Sequence, residues 1–294
     1  MQSACGKITF FWVRDSCRGS QVPTGSGTSG VGIPFTRNTS PLQKKKNRHA
    51  LLSGTSVVVT VSLIPIPYRI AALTRERNSL FEYPLERLAG IIREIGFSCT
   101  NCAKCCTRSF NGHVFLLDRD VEAVRKIDPD ALEPAPDPEF CDQNGTFYVS
   151  GYALKIRDDE AGSCWFLENG RCTIYDRRFA ICRVYPYMLH REPDEYGKVD
   201  WRQFSGLDNH GEYHGEIPEE EALTLARETK EYENAFLSQE TQFLECIQTY
   251  FAGHKLRHVQ KVYDDQMRAF AKGKKLRVMV FFDGTFEEHW ICNG

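Results

Sequence analysis

No stretch of the 294-residue chain reaches the roughly 20 consecutive apolar residues that a membrane-spanning helix needs. The nearest, 51–66, is interrupted by Ser53, Gly54, Thr55, Thr60, Ser62 and Pro65, so membrane insertion is not expected. Several catalytic signatures are also missing. There is no G-x-S-x-G elbow, no phosphate-binding loop, no H-E-x-x-H, no Gly-rich nucleotide loop after a strand and no C-x3-C-x2-C radical motif. No internal repeat is visible, and methionine is scarce, with none between Met1 and Met188. Net charge is only −2, but it is unevenly spread: residues 1–80 hold 11 basic and 2 acidic residues, while residues 81–294 carry −11. A body that acidic repels phosphates, which argues against nucleic acid as a partner.

The basic excess belongs to a segment unlike the rest. Residues 18–42 are rich in Gly, Ser and Thr, and the run Lys44, Lys45, Lys46 and Arg48 follows. Such a stretch cannot bury enough apolar surface to offset its ordering entropy. Residues 1–78 therefore read as a disordered or mis-annotated extension, although 56–63, with its run of valines, has the composition of a strand.

The body, by contrast, is patterned. Leu85, Leu88, Ile91, Ile92 and Ile95 recur at helical spacing between Pro84 and Gly96. A short strand is expected at 113–117, then a helix capped by Asp118 and ended before Pro129, then a loop at 130–138. Residues 146–157 have strand composition, and a hairpin is expected about Glu195, Tyr196 and Gly197. Pro218 opens a long helix whose apolar stripe runs from Ala222 through Leu225, Ala226 and Thr229 to Phe243, Ile247, Tyr250 and Phe251. Glu219, Glu220 and Glu221 in its first turn complement the helix dipole. A further helix at 258–271 and a strand at 276–282 complete the chain. The fold class is α+β: a cysteine-rich core of short strands and helices at 79–215, and a carboxy-terminal helical region at 216–294 that ends in a strand and packs on that core.

What the sequence does have is cysteine, twelve in all, eight of them from Cys99 to Cys182, or seven without Cys141. Tight spacing in a chain this long points to metal in a reducing cytoplasm rather than to a secreted disulfide framework. The strongest motif is Cys99-Thr100-Asn101-Cys102-Ala103-Lys104-Cys105-Cys106, whose two-residue spacers let successive thiolates wrap one metal centre. Side chains of adjacent residues diverge, so Cys105 and Cys106 are not expected on one iron. A fourth ligand must come from Cys164, Cys172 or Cys182. Between Cys164 and Cys172 a hairpin is expected. A three-residue loop, 168–170, would pair Phe166 with Cys172 and, by alternation, put Cys164 on the same face as Cys172. A two-residue Asn169-Gly170 turn would pair Leu167 with Cys172 instead. The first is expected, because the thiolates must converge. Cys141 is undecided, and His210 and His214 read more simply as loop histidines than as ligands. Cys246, in an apolar helical stripe, and the terminal Cys5, Cys17 and Cys292 need no chemical role.

The cysteine run, followed by Cys164-Trp165-Phe166-Leu167, Cys172-Thr173-Ile174-Tyr175 and Cys182-Arg183-Val184-Tyr185-Pro186, resembles the YkgJ-type cysteine-cluster family of zinc- or iron-chelating domains, over roughly residues 97–215. Arg178 stands at that family's arginine. Two positions depart from its pattern: Phe179 replaces a proline, and Ser205 stands near where a further cysteine is common. The resemblance implies a metal centre, described for members as zinc or iron-sulfur, and flagellin lysine methylases share the cysteine pattern. Three cysteines in C-x2-C-x2-C plus a remote fourth favour a 4Fe-4S cluster over zinc. The expectation is a redox or electron-transfer protein with Cys99, Cys102, Cys105 and Cys182 on the cluster. Cys106, Cys164 and Cys172 would form a second site or inner shell, Arg178 and Arg183 would offset thiolate charge, and a redox or other protein would be the partner. A protein-lysine methyltransferase and a structural zinc module are the alternatives.

Overall fold

The computed structural model describes residues 65–187, 190–193, 199–202 and 210–292. The glycine-rich and valine-rich segments of the amino terminus, with Cys5, Cys17 and Ser205, lie outside the described residues. Helix α1 (Ile66–Glu82) begins inside the segment set apart above as an extension. It packs on the long carboxy-terminal helix, where Arg77 Nε donates to Asn234 Oδ1 at 2.7 Å. Helix α2 (Leu85–Ile95) follows Pro84 and stops at Gly96, as its apolar spacing predicts. Leu88, Ala89 and Ile92 are buried against Ala222, Ala226 and Leu237. The small side chains at 222 and 226 let the two helices approach closely.

After a one-turn α3 (Arg108–Asn111) comes α4 (Asp118–Ile127). Asp118 does not cap it: Leu117 holds that position, and the Asp118 carboxylate instead accepts from Asp283 N at 3.2 Å. The expected strand at 113–117 reduces to an isolated bridge between Phe115 and Ala153. The expected loop at 130–138 contains β1 (Leu132–Pro134), which pairs with β4 (Tyr152–Leu154). Strands β2 (Phe140–Cys141) and β3 (Phe147–Val149) join a different sheet, so the single strand read at 146–157 is divided. Ser150 and Gly151 lie between the two halves.

Beyond β5 (Leu167–Glu168), β6 (Arg171–Cys172) and helix α5 (Ala180–Val184), the predicted hairpin is present as β7 (His190–Pro193) and β8 (Val199–Arg202). Helix α6 (Glu219–His254) has 36 residues and so runs about 54 Å. Its acidic residues 219–221 occupy the first turn, as the dipole argument expects. Gln239 on its buried face accepts from Asp118 N at 3.1 Å and donates to Ser150 O at 3.3 Å, tying α4 and the β3–β4 link to one side chain. Helix α7 (Gln260–Phe270) leads to β9 (Leu276–Phe282) and β10 (Thr285–Ile291). These two form a hairpin through Asp283 and Gly284, both at positive φ, the geometry of a two-residue turn matching strand twist.

The larger sheet has the order β10-β9-β3-β2. Strand β9 runs parallel to β3, with Val278 opposite Phe147 and Val280 opposite Val149. One face buries Phe147, Val149, Val278 and Val280 toward the cysteine-bearing segments. The other buries Tyr148, Met279 and Phe281 against Phe243 and Ile247 of α6. The mixed α+β class read from the sequence is the class observed. Among the described residues no helix is long and apolar enough to cross a membrane.

Candidate metal centre

The cysteine run starts where α2 ends. Gly96 takes φ +52, and a Cβ there would stand 2.2 Å from Gly215 O, so the position admits only glycine. Ser98 N donates to Glu212 O at 2.8 Å and Glu212 N returns to Ser98 O at 3.0 Å, which clasps residues 96–98 to 212–215. The run then winds tightly. Asn101 and Ala103 lie at φ 56 and 60, and a 3-10 turn covers Lys104–Cys106. Left-handed backbone costs about 1–2 kcal/mol at an ordinary residue. This winding directs Cys99, Cys102, Cys105 and Cys106 into one cavity.

The facing wall comes from 161–182. Cys164 N donates to Cys106 O at 2.8 Å and Arg108 N to Gly162 O at 2.9 Å, so the two cysteine segments run as a short antiparallel ladder. The β5–β6 hairpin corrects the expected register. Leu167 pairs with Cys172 through the two-residue turn Asn169-Gly170, both at positive φ, and Phe166 is not its partner. Cys164 and Cys172 nevertheless line the same cavity. Alternation fails to separate them because the strand does not reach back to Cys164: a turn intervenes, with Leu167 N donating to Cys164 O at 2.9 Å.

Cys182 sits on α5, whose start is set by Phe179. That residue has φ −66, the value proline would impose, so the departure from the family pattern keeps the backbone and adds a buried ring against Phe166. Asp120 of α4 accepts from Ala180 N at 3.3 Å, satisfying an amide at the helix start.

All seven cysteines between 99 and 182 other than Cys141 line a single cavity of about 200 Å³. They differ in environment. Cys102 is exposed, and its pKa is lowered because its sulfur accepts from the backbone amides of Lys104 and Gly211. Cys105 donates to Cys106, which raises the first and brings the second down to about 7, with Arg178 adding to the effect on Cys106. Burial pushes Cys164 up to about 11 and holds Cys172 and Cys182 above the usual thiol range, while Arg178 opposes the rise at both of the latter. The Arg178 guanidinium lies 3.9 Å from the centroid of the Tyr175 ring and donates to Tyr175 O at 3.1 Å. Arg183 takes a different place. It ion-pairs with Glu228 on α6 at 3.8 Å and donates to Arg178 O at 2.8 Å, and it is not part of the cavity lining.

Other side chains sort themselves. Cys141 is buried in the sheet core, away from this cavity, and its amide donates to His258 Nδ1 at 3.0 Å. His214 is exposed and its ring contacts Glu94 O. His210 lines the cavity among the rings of Phe97, Phe110 and Tyr185. His113 also lines it, unheralded by any motif: a lone histidine before an apolar segment carries no spacing signal. Burial and the nearby Arg108 hold His113 down to about 4, so its ring is neutral at physiological pH.

The lining fits a thiophilic metal. It offers thiols and two imidazoles, and among the described residues no carboxylate faces it, which disfavours calcium or magnesium. Among the described residues no three Cys, His, Asp or Glu side chains already stand in metal-holding geometry. Loading would have to draw sulfurs inward, each giving up its proton as it binds.

Comparison with known proteins agrees with this chemistry. Residues 98–205 match the family model CxxCxxCC, described as "Putative zinc- or iron-chelating domain", which bears out the resemblance read from the cysteine motifs. The match spans a little over a third of the chain and ends before the 212–215 side of the clasp. No curated protein and no solved structure matches the chain.

Proposed function

We propose, with residues 98–205 as a metal-chelating domain, that the cavity holds a 4Fe-4S cluster and that the protein exchanges electrons through it in a reducing cytoplasm. Cys99, Cys102 and Cys105 supply three ligands at ferredoxin-like spacing and Cys182 the remote fourth. The observation that carries this reading is the convergence of thiols from separate segments on one cavity, with the exposed Cys102 as its outer edge. A structural zinc site is closed, whereas an electron-transfer centre needs an edge near solvent where a partner can dock. When bound, the cluster supplies one-electron exchange.

The chain's own residues prepare the site. Arg178 sets positive charge beside Cys106, Cys172 and Cys182, offsetting the thiolates. Phe97, Phe166 and Tyr185 keep water from its inner wall. The amides of Lys104 and Gly211 donate to Cys102 and stabilise its thiolate form at the exposed edge. Protein prepared anaerobically and measured by metal and sulfide analysis with visible and EPR spectra tests the reading. A brown chromophore bleached by dithionite and lost in Cys182→Ser is expected. A colourless protein with stoichiometric zinc would refute it.

A further inference from the structure

We propose that His113 supplies an imidazole nitrogen to a second metal centre in the same cavity, completing a four-donor set with Cys106, Cys164 and Cys172. The proposal rests on the reading that this cavity chelates metal. Four thiols satisfy the first centre and three remain. Three is one short of a tetrahedral set, and the position near which the family commonly carries a further cysteine holds Ser205.

His113 is placed to fill the gap. It lines the cavity, and its Nδ1 is buried with no hydrogen-bond partner among the described residues. An unsatisfied buried polar atom costs about 1–3 kcal/mol, and a metal bond would remove that cost. The backbone is fixed on both sides of it. Upstream, the one-turn α3 joins it to the ladder that carries Cys106 and Cys164; downstream, Val114 O accepts from Leu154 N at 2.9 Å. His210, the other imidazole of the cavity, stands next to Gly211, whose amide donates to Cys102 of the first centre.

The test is ¹¹³Cd(II) added anaerobically to the full chain, because the cadmium chemical shift reports the donor set. Two resonances are expected. One lies at the four-thiolate position, and the other is displaced toward three thiolates and one nitrogen and split by ¹⁵N-labelled histidine. His113→Ala should abolish the splitting and halve the bound cadmium, while His210→Ala should leave both. His113→Gln serves if the alanine variant fails to fold, and the splitting in the unmutated chain is informative without either. Two unsplit resonances, one resonance without nitrogen coupling, or a splitting lost in His210→Ala would each overturn the assignment and leave chelation standing. No bound cadmium would overturn both.

Discussion

In the larger sheet, Val278, Val280, Phe281, Phe147 and Val149 are buried on one face or the other and meet partners across paired strands. Around the cysteine cavity, ordered backbone comes in pieces of two to five residues, joined by isolated bridges, left-handed turns and a 3-10 turn. The sheet is held by apolar burial that would exist whatever the protein binds. The cavity wall spends backbone strain and thiol burial to bring reactive groups together, and it recovers that cost only through what those groups bind. A frame that stands alone carries a site that does not.

The sharpest way to separate the two is to remove metal with a chelator. Amide exchange over residues 98–112 and 161–182 should approach unprotected rates, while Phe147, Val149, Val278, Val280 and the α6 core keep their protection. Loss of protection in β9 as well would break the distinction. Next in size, Phe281→Ala should cost about 3–5 kcal/mol in urea unfolding, equally with and without metal; a metal-dependent cost would couple the regions. Gly211→Ala addresses the clasp of residues 96–98 with 212–215 beside the cavity. Its Cβ would stand 2.4 Å from the Phe97 ring and 2.8 Å from Ser98 O at φ +67, so a loss of about 1–3 kcal/mol with weakened metal retention is expected. Retention at wild-type level would show that the clasp is not part of the site.

The smallest effect concerns Glu133 on β1, which burial pushes up to about 7. The folded chain holds that proton more tightly than the unfolded one, so stability is fully present below the usual carboxylate pKa and is lost as pH rises toward 7. Glu133→Gln should therefore stabilise by on the order of 1–2 kcal/mol above pH 7 and by nothing near pH 4. A constant gain across that range would show that ionisation is not its origin.

What could be read from the sequence follows the same division. Helices α2 and α6 and strand β9 are legible because local periodicity and composition specify them, whereas β10, which follows the Asp283-Gly284 turn, is not part of that reading. The parallel pairing of β3 with β9 was not, since nothing local in Phe147–Val149 names a partner so distant in the chain. At the site, the converging cysteines were visible from spacing, but their geometry was not. The β5–β6 register was misread because alternation was carried through a turn at Trp165 and Phe166. Arg183 is near Arg178 in sequence, but α5 carries it toward Glu228 instead. His113 left no trace, because burial and a missing partner are properties of three dimensions.

The parallel β3–β9 pairing also sets a clock. The central strand of the sheet waits for a neighbour that is among the last parts of this sequence to be made. At about 5–20 residues per second, roughly 10–40 s separate the emergence of Cys99 from that of β9. Throughout that interval the thiols are out of the ribosome before the scaffold that fixes their spacing exists. Loading the site is thus an event that follows the synthesis of β9, and the nascent chain depends on its surroundings to keep seven cysteines reduced until the sheet closes.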